Sequence, residues 1–124
     1  MKKWKSLRGR GAIHQVRQHG SLLRGELIQC WVQVHTNEFP GISAGFAVAR
    51  RSFSAVRRNK LKRLMREAFR HEQDPLIDIL NERKLHVSIL FSFRDKKGRN
   101  VTHTNFGDVH EDMARLARLV VLKL

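Results

Sequence analysis

Hydrophobic and polar residues alternate along several stretches of the chain, which is typical of β-strands with one buried face. In residues 27–35 the even-numbered positions, Cys30 among them, are hydrophobic, while the odd-numbered positions from 29 on are polar apart from Trp31. In residues 85–93 every odd-numbered position is hydrophobic. We therefore predict a strand in each of these segments, and a further strand over about residues 42–50.

Apolar positions three to four residues apart predict helices elsewhere in the chain. The first helix is expected over residues 10–19 and the last over about residues 105–122. Between them, Ser54 is a suitable N-cap for a helix that reaches about Glu72. A separate short helix is expected to begin at Pro75, because proline is favoured at the first position of a helix. Helices and strands mixed in this way predict one α+β domain.

The length and composition of the chain exclude several classes of protein. The 124 residues are enough for one domain, residues 1–124, to bury a hydrophobic core. No hydrophobic run approaches the ~20 residues that a membrane span requires, and the basic start of the chain lacks the apolar segment of a secretory signal. Because there is one cysteine, an internal disulfide framework is excluded, and we expect a cytoplasmic protein.

The net charge is the strongest compositional feature. Lys and Arg number 25 against 11 Asp and Glu, so the formal net charge is +14. This charge favours a nucleic-acid partner, because neutralising phosphates releases condensed counterions. A membrane surface is the other polyanion, but no segment combines a basic face with a face rich in Trp and Leu. We therefore expect a nucleic acid as the partner and no membrane.

The positive charge is concentrated in residues 54–70, SAVRRNKLKRLMREAFR, which contain seven Lys or Arg and one acidic residue. At about 100° per residue, one side of this helix forms a basic stripe. The basic stripe consists of Arg58, Lys62, Arg66 and Arg70, with Asn59 and Arg63 beside it. The alternative interpretation is an ordinary solvated helix surface, but such surfaces generally mix opposite charges in i,i+4 pairs. Since Arg also grips phosphate oxygens in pairs, the basic stripe predicts a phosphate-binding surface.

The sequence contains no residue combination typical of a protein-based catalyst. The seven histidines show no H-x-x-x-H spacing and no cysteine pair accompanies them, so we expect no metal bound by the protein alone. Asp108, Glu111 and Asp112 are expected to interact favourably with the dipole of the last helix. Cys30 is expected in the core rather than in a nucleophilic site.

The basic stripe belongs to a longer pattern of residues at fixed spacings. The helix contributes Ala55, Val56, Arg58, Asn59, Lys62, Arg63, Arg66, Glu67, Phe69 and Arg70. The strand before it contributes Gly45, Phe46, Val48, Arg50 and Arg51. The first set matches the signature A-V-x-R-N-x-x-K-R-x-x-R-E-x-F-R, and the second is similar to G-[FL]-x-V-x-K-K. Both patterns are features of the protein subunit of bacterial ribonuclease P, which this chain therefore resembles.

The resemblance implies both a fold and a function. The implied fold is a compact α/β sandwich of the ribosomal protein S5 domain 2-like type, in the order α-β-β-β-α-β-α with a left-handed βαβ crossover. The implied function is to assist a catalytic RNA in removing 5′ leaders from precursor tRNA, with Mg²⁺ held through the RNA. The implied partners are the ribonuclease P RNA and precursor tRNA, without an obligate protein partner.

The resemblance also implies two binding regions. The residues expected to contact the catalytic RNA are Arg50, Arg51, Arg57, Arg58, Asn59, Lys62, Arg63, Arg66 and Arg70. The residues expected in a cleft for the single-stranded leader are Ile13, Arg17, Trp31 and Arg51. The family usually has aromatic residues at or near the first two of these positions, so Trp31 is expected to stack on a leader base. The alternative is a Trp31 side chain that is covered by the first helix or the N-terminal arm.

Two other functions are compatible with parts of the sequence. A non-catalytic RNA-binding module, such as a ribosomal protein, would explain the charge and the fold equally well, although such a protein has no reason to carry the helix signature. A self-sufficient metal nuclease is disfavoured by the missing ligand cluster. The protein subunit of ribonuclease P is therefore the hypothesis that the sequence favours.

Overall fold

The computed structural model describes residues 1–36, 39–50, 53–94 and 106–124. Within these ranges the chain forms five strands and three helices. The elements are β1 (Lys5–Ser6), α1 (Arg10–His19), β2 (Ser21–Arg24), β3 (Ile28–His35), β4 (Gly41–Ala47), α2 (Ala55–Arg83), β5 (His86–Phe93) and α3 (Phe106–Lys123). The predicted α+β class is confirmed, and most predicted bounds hold to within a few residues.

The strands form one mixed sheet in the order β1-β4-β5-β3-β2. β4 and β5 are parallel neighbours that α2 connects, so the predicted βαβ crossover is present, while its left hand stays a prediction. β3 pairs antiparallel with β5 and with β2. The predicted order is found with one addition, β1, which pairs with β4. A strand of two residues has no periodicity to detect in a sequence.

Helices cover both faces of the sheet. Phe69 of α2 packs on Phe91 of β5 with ring centroids 4.9 Å apart, which places α2 on the face of the odd-numbered residues of β5. α3 packs beside α2 on this hydrophobic core. α1 contacts β3 and β5 from the other side, where Leu90 is 1% exposed. β5 is therefore buried on both faces, although its sequence alternation predicted one buried face.

The helix α2 is continuous, so the predicted break between Glu72 and Pro75 is wrong. Proline inside a helix costs about 3 kcal/mol, because it removes a hydrogen bond and crowds the preceding turn. Beyond Pro75, however, Leu76 and Leu80 are fully buried. Burying a leucine side chain contributes about 1.5–3 kcal/mol. The packing of these two leucines offsets the cost of the proline and continues the helix.

The loop between β2 and β3 is held by Asp112 of α3, which is 2% exposed. Its carboxylate accepts the backbone N–H groups of Glu26, Leu27 and Ile28 at 2.8, 2.9 and 2.8 Å. A Cβ atom at Gly25 would lie 2.5 Å from the same carboxylate, so this position needs a glycine. The interpretation of Asp112 as a dipole partner is therefore wrong, since its main contacts are to another segment of the chain.

Candidate nucleic-acid interface

The start of α2 is defined by a side-chain cap and by an arginine that folds back. The hydroxyl of Ser54 accepts the backbone N–H of Arg57 at 3.3 Å, which confirms Ser54 as the N-cap. The guanidinium of Arg58 donates to the carbonyl of Phe53 at 2.7 Å and to that of Arg50 at 3.4 Å. Arg58 therefore orders the turn that leads into the helix, in addition to any contact with a ligand.

The structure divides the basic stripe into exposed and half-buried members. Arg58, Lys62 and Arg70 are half-buried beside the core, where Met65 and Phe69 are fully buried. The exposed polar side chains form a set that we call the exposed basic face. It consists of Arg57, Asn59, Lys60, Arg63 and Arg66. These residues span about 180° of the helix at 100° per residue.

Lys60 belongs to this face although the sequence analysis did not select it. Its signal was present in the sequence, because Lys60 lies one turn from both Arg57 and Arg63. The predicted stripe ran from Arg58 and Lys62, which lie at the border of the core, to Arg66, which is exposed. The border between a core-facing and a solvent-facing sector depends on what packs against the helix, which the periodicity alone does not give.

Glu67 limits the positive charge at the C-terminal end of the stripe. Its carboxylate forms an ion pair with the guanidinium of Arg70. The hydrogen bond from Arg70 lowers the pKa of Glu67 below its ordinary value, and Glu67 in turn raises the pKa of Arg70. The charge of Arg70 is thus balanced locally, and the strongest unbroken positive surface lies N-terminal to it.

The predicted leader residues of α1 and β3 meet on the sheet face opposite α2. The guanidinium carbon of Arg17 lies 5.2 Å from the ring centroid of Trp31. Trp31 is half-buried, and Ile13, one helical turn before Arg17, is half-buried as well. We call this region the sheet cleft. The Arg17 side chain therefore covers one face of the Trp31 ring. A base that stacks on that face has to displace this side chain.

One further predicted contact residue, Arg50, lies shortly after the end of β4. Arg50 is exposed and follows the last residue of that strand, which ends at Ala47 rather than at residue 50. Arg51, which was predicted for both binding regions, lies outside the described residues. The structure therefore places Arg50 next to the start of α2, as expected for an extension of the basic stripe.

Gln33 is a polar residue of the sheet cleft that the sequence analysis did not select. Its side-chain oxygen is buried and has no hydrogen-bond partner in the described part of the chain. Gln33 lies two residues from Trp31 and so projects from the same face of β3. A buried acceptor without a partner is costly, but this oxygen has almost no accessible surface, so a ligand can reach it only if neighbouring side chains move.

The described residues contain no metal-binding cluster and no reactive cysteine. Among them, no group of three or more His, Cys, Asp or Glu is placed to hold a metal ion. Cys30 is fully buried, and this burial raises the pKa of its thiol to about 12, so the reactive thiolate is disfavoured. The position of Cys30 in the core is as predicted. The arrangement is that of a binding surface.

Comparison with known proteins relates most of the chain to one family. A family model described as Ribonuclease P matches residues 1–118. The Ribonuclease P protein component of Chlorobium phaeobacteroides is 31% identical over 93 residues, which cover 71% of this chain and 64% of that protein. The corresponding component of Porphyromonas gingivalis is 46% identical over 46 residues, or 36% of this chain and 34% of that protein. The matched segments thus span less than two thirds of these relatives.

Solved structures of similar fold cover nearly the whole chain. The Staphylococcus aureus RNase P protein aligns with a TM-score of 0.72 at 15% identity, over 95% of this chain and 96% of that chain. The RNase P protein from Thermotoga maritima aligns with a TM-score of 0.68 at 24% identity, over 93% and 96%. At these identities the likeness concerns the fold, and it supports the arrangement of helices around the sheet described above.

Proposed function

The chain belongs to the ribonuclease P protein family, and we propose that it is the RNA-binding protein subunit of a ribonuclease P that removes 5′ leaders from precursor tRNA. The observation that carries this proposal is the exposed basic face of α2, which combines the family signature with solvent-accessible cations. Its arginines can grip phosphate oxygens in pairs, and its position on a long packed helix holds them in fixed register.

We propose that the protein contributes binding and orientation while the catalytic RNA performs the cleavage. The exposed basic face would dock on the phosphates of that RNA, and the sheet cleft would hold the single-stranded leader. Mg²⁺ would be bound through the RNA subunit, where it would supply the activated water. The half-buried Trp31 offers the leader a stacking surface.

The proposal extends to partners and location. The partners would be the ribonuclease P RNA and precursor tRNA, without an obligate protein partner, and the complex would act in the cytoplasm. Among the helices that the structure describes, none combines the length and the hydrophobicity needed to cross a membrane. A role as a non-catalytic module, as in a ribosomal protein, is the competing proposal, and reconstitution distinguishes the two.

The isolated protein is expected to leave precursor tRNA intact, because its described residues contain no metal-binding group and no reactive thiolate. Added to a bacterial ribonuclease P RNA at a Mg²⁺ concentration too low for the RNA alone, it is expected to restore cleavage at the mature 5′ end. Gel analysis of labelled precursor measures cleavage by the protein alone and by the protein together with the RNA. Cleavage by the protein alone, cleared of contaminating nucleases, would contradict the proposed division of labour, and failure to stimulate the RNA would favour the non-catalytic module.

Replacing Trp31 by alanine is expected to weaken binding of leader-bearing precursor by about 1–3 kcal/mol, the range for one stacked base. Binding of mature tRNA by the same holoenzyme should barely change, because mature tRNA has no leader. Affinities measured for both RNAs by filter binding test this. Leu119 of α3, which is also 39% exposed and lies on the other side of the sheet, provides the control variant Leu119→Ala. If the affinities for both RNAs fell equally, the role of Trp31 would be purely structural, as a residue packed beneath Arg17.

A further inference from the structure

A groove of about 1140 Å³ lies where α2 ends and β4 and β5 begin. The N-terminal arm, the segment before β4 and the last turn of α2 form its walls. Asn81, on the α2 wall, is about 22 Å along the helix axis from Arg66, the nearest member of the exposed basic face. On the sheet, His86 of the groove pairs with His35, which is about 13 Å along β3 from Trp31. The groove is thus separate from both binding regions described above.

The charge of the groove favours an anionic ligand. Lys3, Lys5 and Lys84 line it, and no acidic residue does so among the described residues. The ammonium of Lys3 donates to Asp74 at 2.8 Å outside the lining, and this hydrogen bond raises the pKa of Lys3. Lys5 on the N-terminal arm and Lys84 at the end of α2 are both exposed and carry the positive charge of the groove.

An aromatic ring stands at the rim of the groove. Phe39 is 90% exposed, so its side chain contributes almost nothing to the core. Its backbone carbonyl is 3.0 Å from Nδ1 of His86. Because a carbonyl can only accept, Nδ1 donates to it, and Nε2 hydrogen-bonds to the hydroxyl of Ser43 at 2.9 Å. The hydrogen bond from His86 of β5 therefore holds the backbone of Phe39. The phenyl ring faces solvent, where a planar ligand can stack on it.

Lys84 occupies a position where glycine would be less strained. It caps the C-terminus of α2 in the left-handed conformation, with φ 55° and ψ 49°. Helices that end in this way usually have glycine or asparagine at this place, since a side chain there is disfavoured. The positive charge of a lysine is favourable at a helix C-terminus, and Lys84 also lines the groove. This is consistent with a use of the side chain in binding.

We propose that this groove binds a single-stranded RNA segment, with one base stacked on Phe39 and the neighbouring phosphates held by Lys5 and Lys84. A duplex is disfavoured, because its bases are already stacked and cannot lie on an aromatic side chain. The amide of Asn81 can hydrogen-bond to a base edge. The site goes beyond the proposed function, since it requires neither the exposed basic face nor the sheet cleft.

The test is a titration of the full-length ¹⁵N-labelled protein with an oligouridine of about six nucleotides, within the usual site size. The backbone amides of Gly41 and His86 report on the groove, so a separate Kd is obtained for this site. We expect both amides to shift. Phe39→Ala should raise the groove Kd between about five-fold and about 150-fold, as expected for one stacked base. Leu122→Ala should leave that Kd unchanged, because Leu122 is an exposed apolar residue outside the groove and outside both binding regions.

The variant Lys84→Gly distinguishes an effect on RNA binding from an effect on stability. It removes one phosphate contact, so the slope of log K against log salt should become shallower by about 0.7. Its thermal midpoint should stay equal or rise, because glycine relieves the left-handed backbone. The matched controls are Lys123→Ala and Leu122→Ala, which remove an exposed lysine and an exposed apolar side chain outside the groove.

Three results would overturn the proposal. The first is that the amides of Gly41 and His86 do not shift with the oligonucleotide. The second is that Phe39→Ala and Lys84→Gly bind as the control variants do. The third is that a glutamate peptide of equal charge binds the groove as tightly as the RNA and is insensitive to Phe39→Ala, which would make the groove a general anion surface.

Discussion

Replacing Lys60, Arg63 and Arg66 together by glutamine is expected to weaken binding to the catalytic RNA and to flatten its salt dependence. If the protein makes about six phosphate contacts, log K should fall with log salt at a slope of roughly −4 to −5. Removing three of them should make the slope shallower by about two to three. All three side chains are exposed, so the free energy of unfolding should change little. Filter binding over a salt series measures the slope.

The control for this triple variant removes the same charge elsewhere. Lys2, Arg118 and Lys123 are exposed and lie outside the exposed basic face, so their replacement should leave the slope nearly unchanged. Arg58 is unsuitable for the test, although it belongs to the family signature. Its hydrogen bonds to the carbonyls of Arg50 and Phe53 hold the turn before α2. If the triple variant and its control gave the same slope, the exposed basic face would be a solvated helix surface.

Asp112→Ala is expected to lower the free energy of unfolding by about 3–5 kcal/mol. The substitution leaves three backbone N–H groups without their acceptor, and each such loss costs about 1–3 kcal/mol when the group is buried. The expected total lies at the lower end of the sum of three such losses, because the N–H groups of Glu26 and Leu27 are only partly buried. For a domain with a total stability of about 5–15 kcal/mol, this is a severe loss. Urea denaturation followed by circular dichroism measures it.

Two further variants identify the cause. Asp112→Asn keeps one acceptor oxygen, so its loss of stability should lie between those of the wild type and the alanine variant. Glu111→Ala removes an exposed carboxylate of the same helix, whose ion pair with Arg115 lies on the surface and is worth about 0–1 kcal/mol. If Asp112→Ala cost no more than Glu111→Ala, the loop contacts of the Asp112 carboxylate would be unimportant.

Local patterns in the sequence predicted the elements and the chemistry of the main surface. α1 has the predicted bounds, and the predicted α3 is shifted by one residue at each end. The even-numbered positions from Ile28 to Val32 are buried, as the alternation predicted, whereas Val34 near the end of the strand is 39% exposed. The basic stripe was recognisable because charge and helical spacing are properties of neighbouring residues. The family signature then indicated a fold and a partner, since it relates many residues at fixed distances along the chain.

The tertiary structure decided what depends on distant segments. Pro75 predicted a helix break from local geometry alone, but the buried Leu76 and Leu80 continue the helix, because core packing outweighs the local cost. Asp112 looked like a dipole partner until the fold brought the N–H groups of the β2–β3 loop to its carboxylate. Contacts between distant segments also explain three other features. These are the half-buried state of Arg58, the position of the Arg17 side chain over Trp31, and the groove next to Phe39. Burial and contact depend on which segments meet in space, and no single stretch of sequence contains that information.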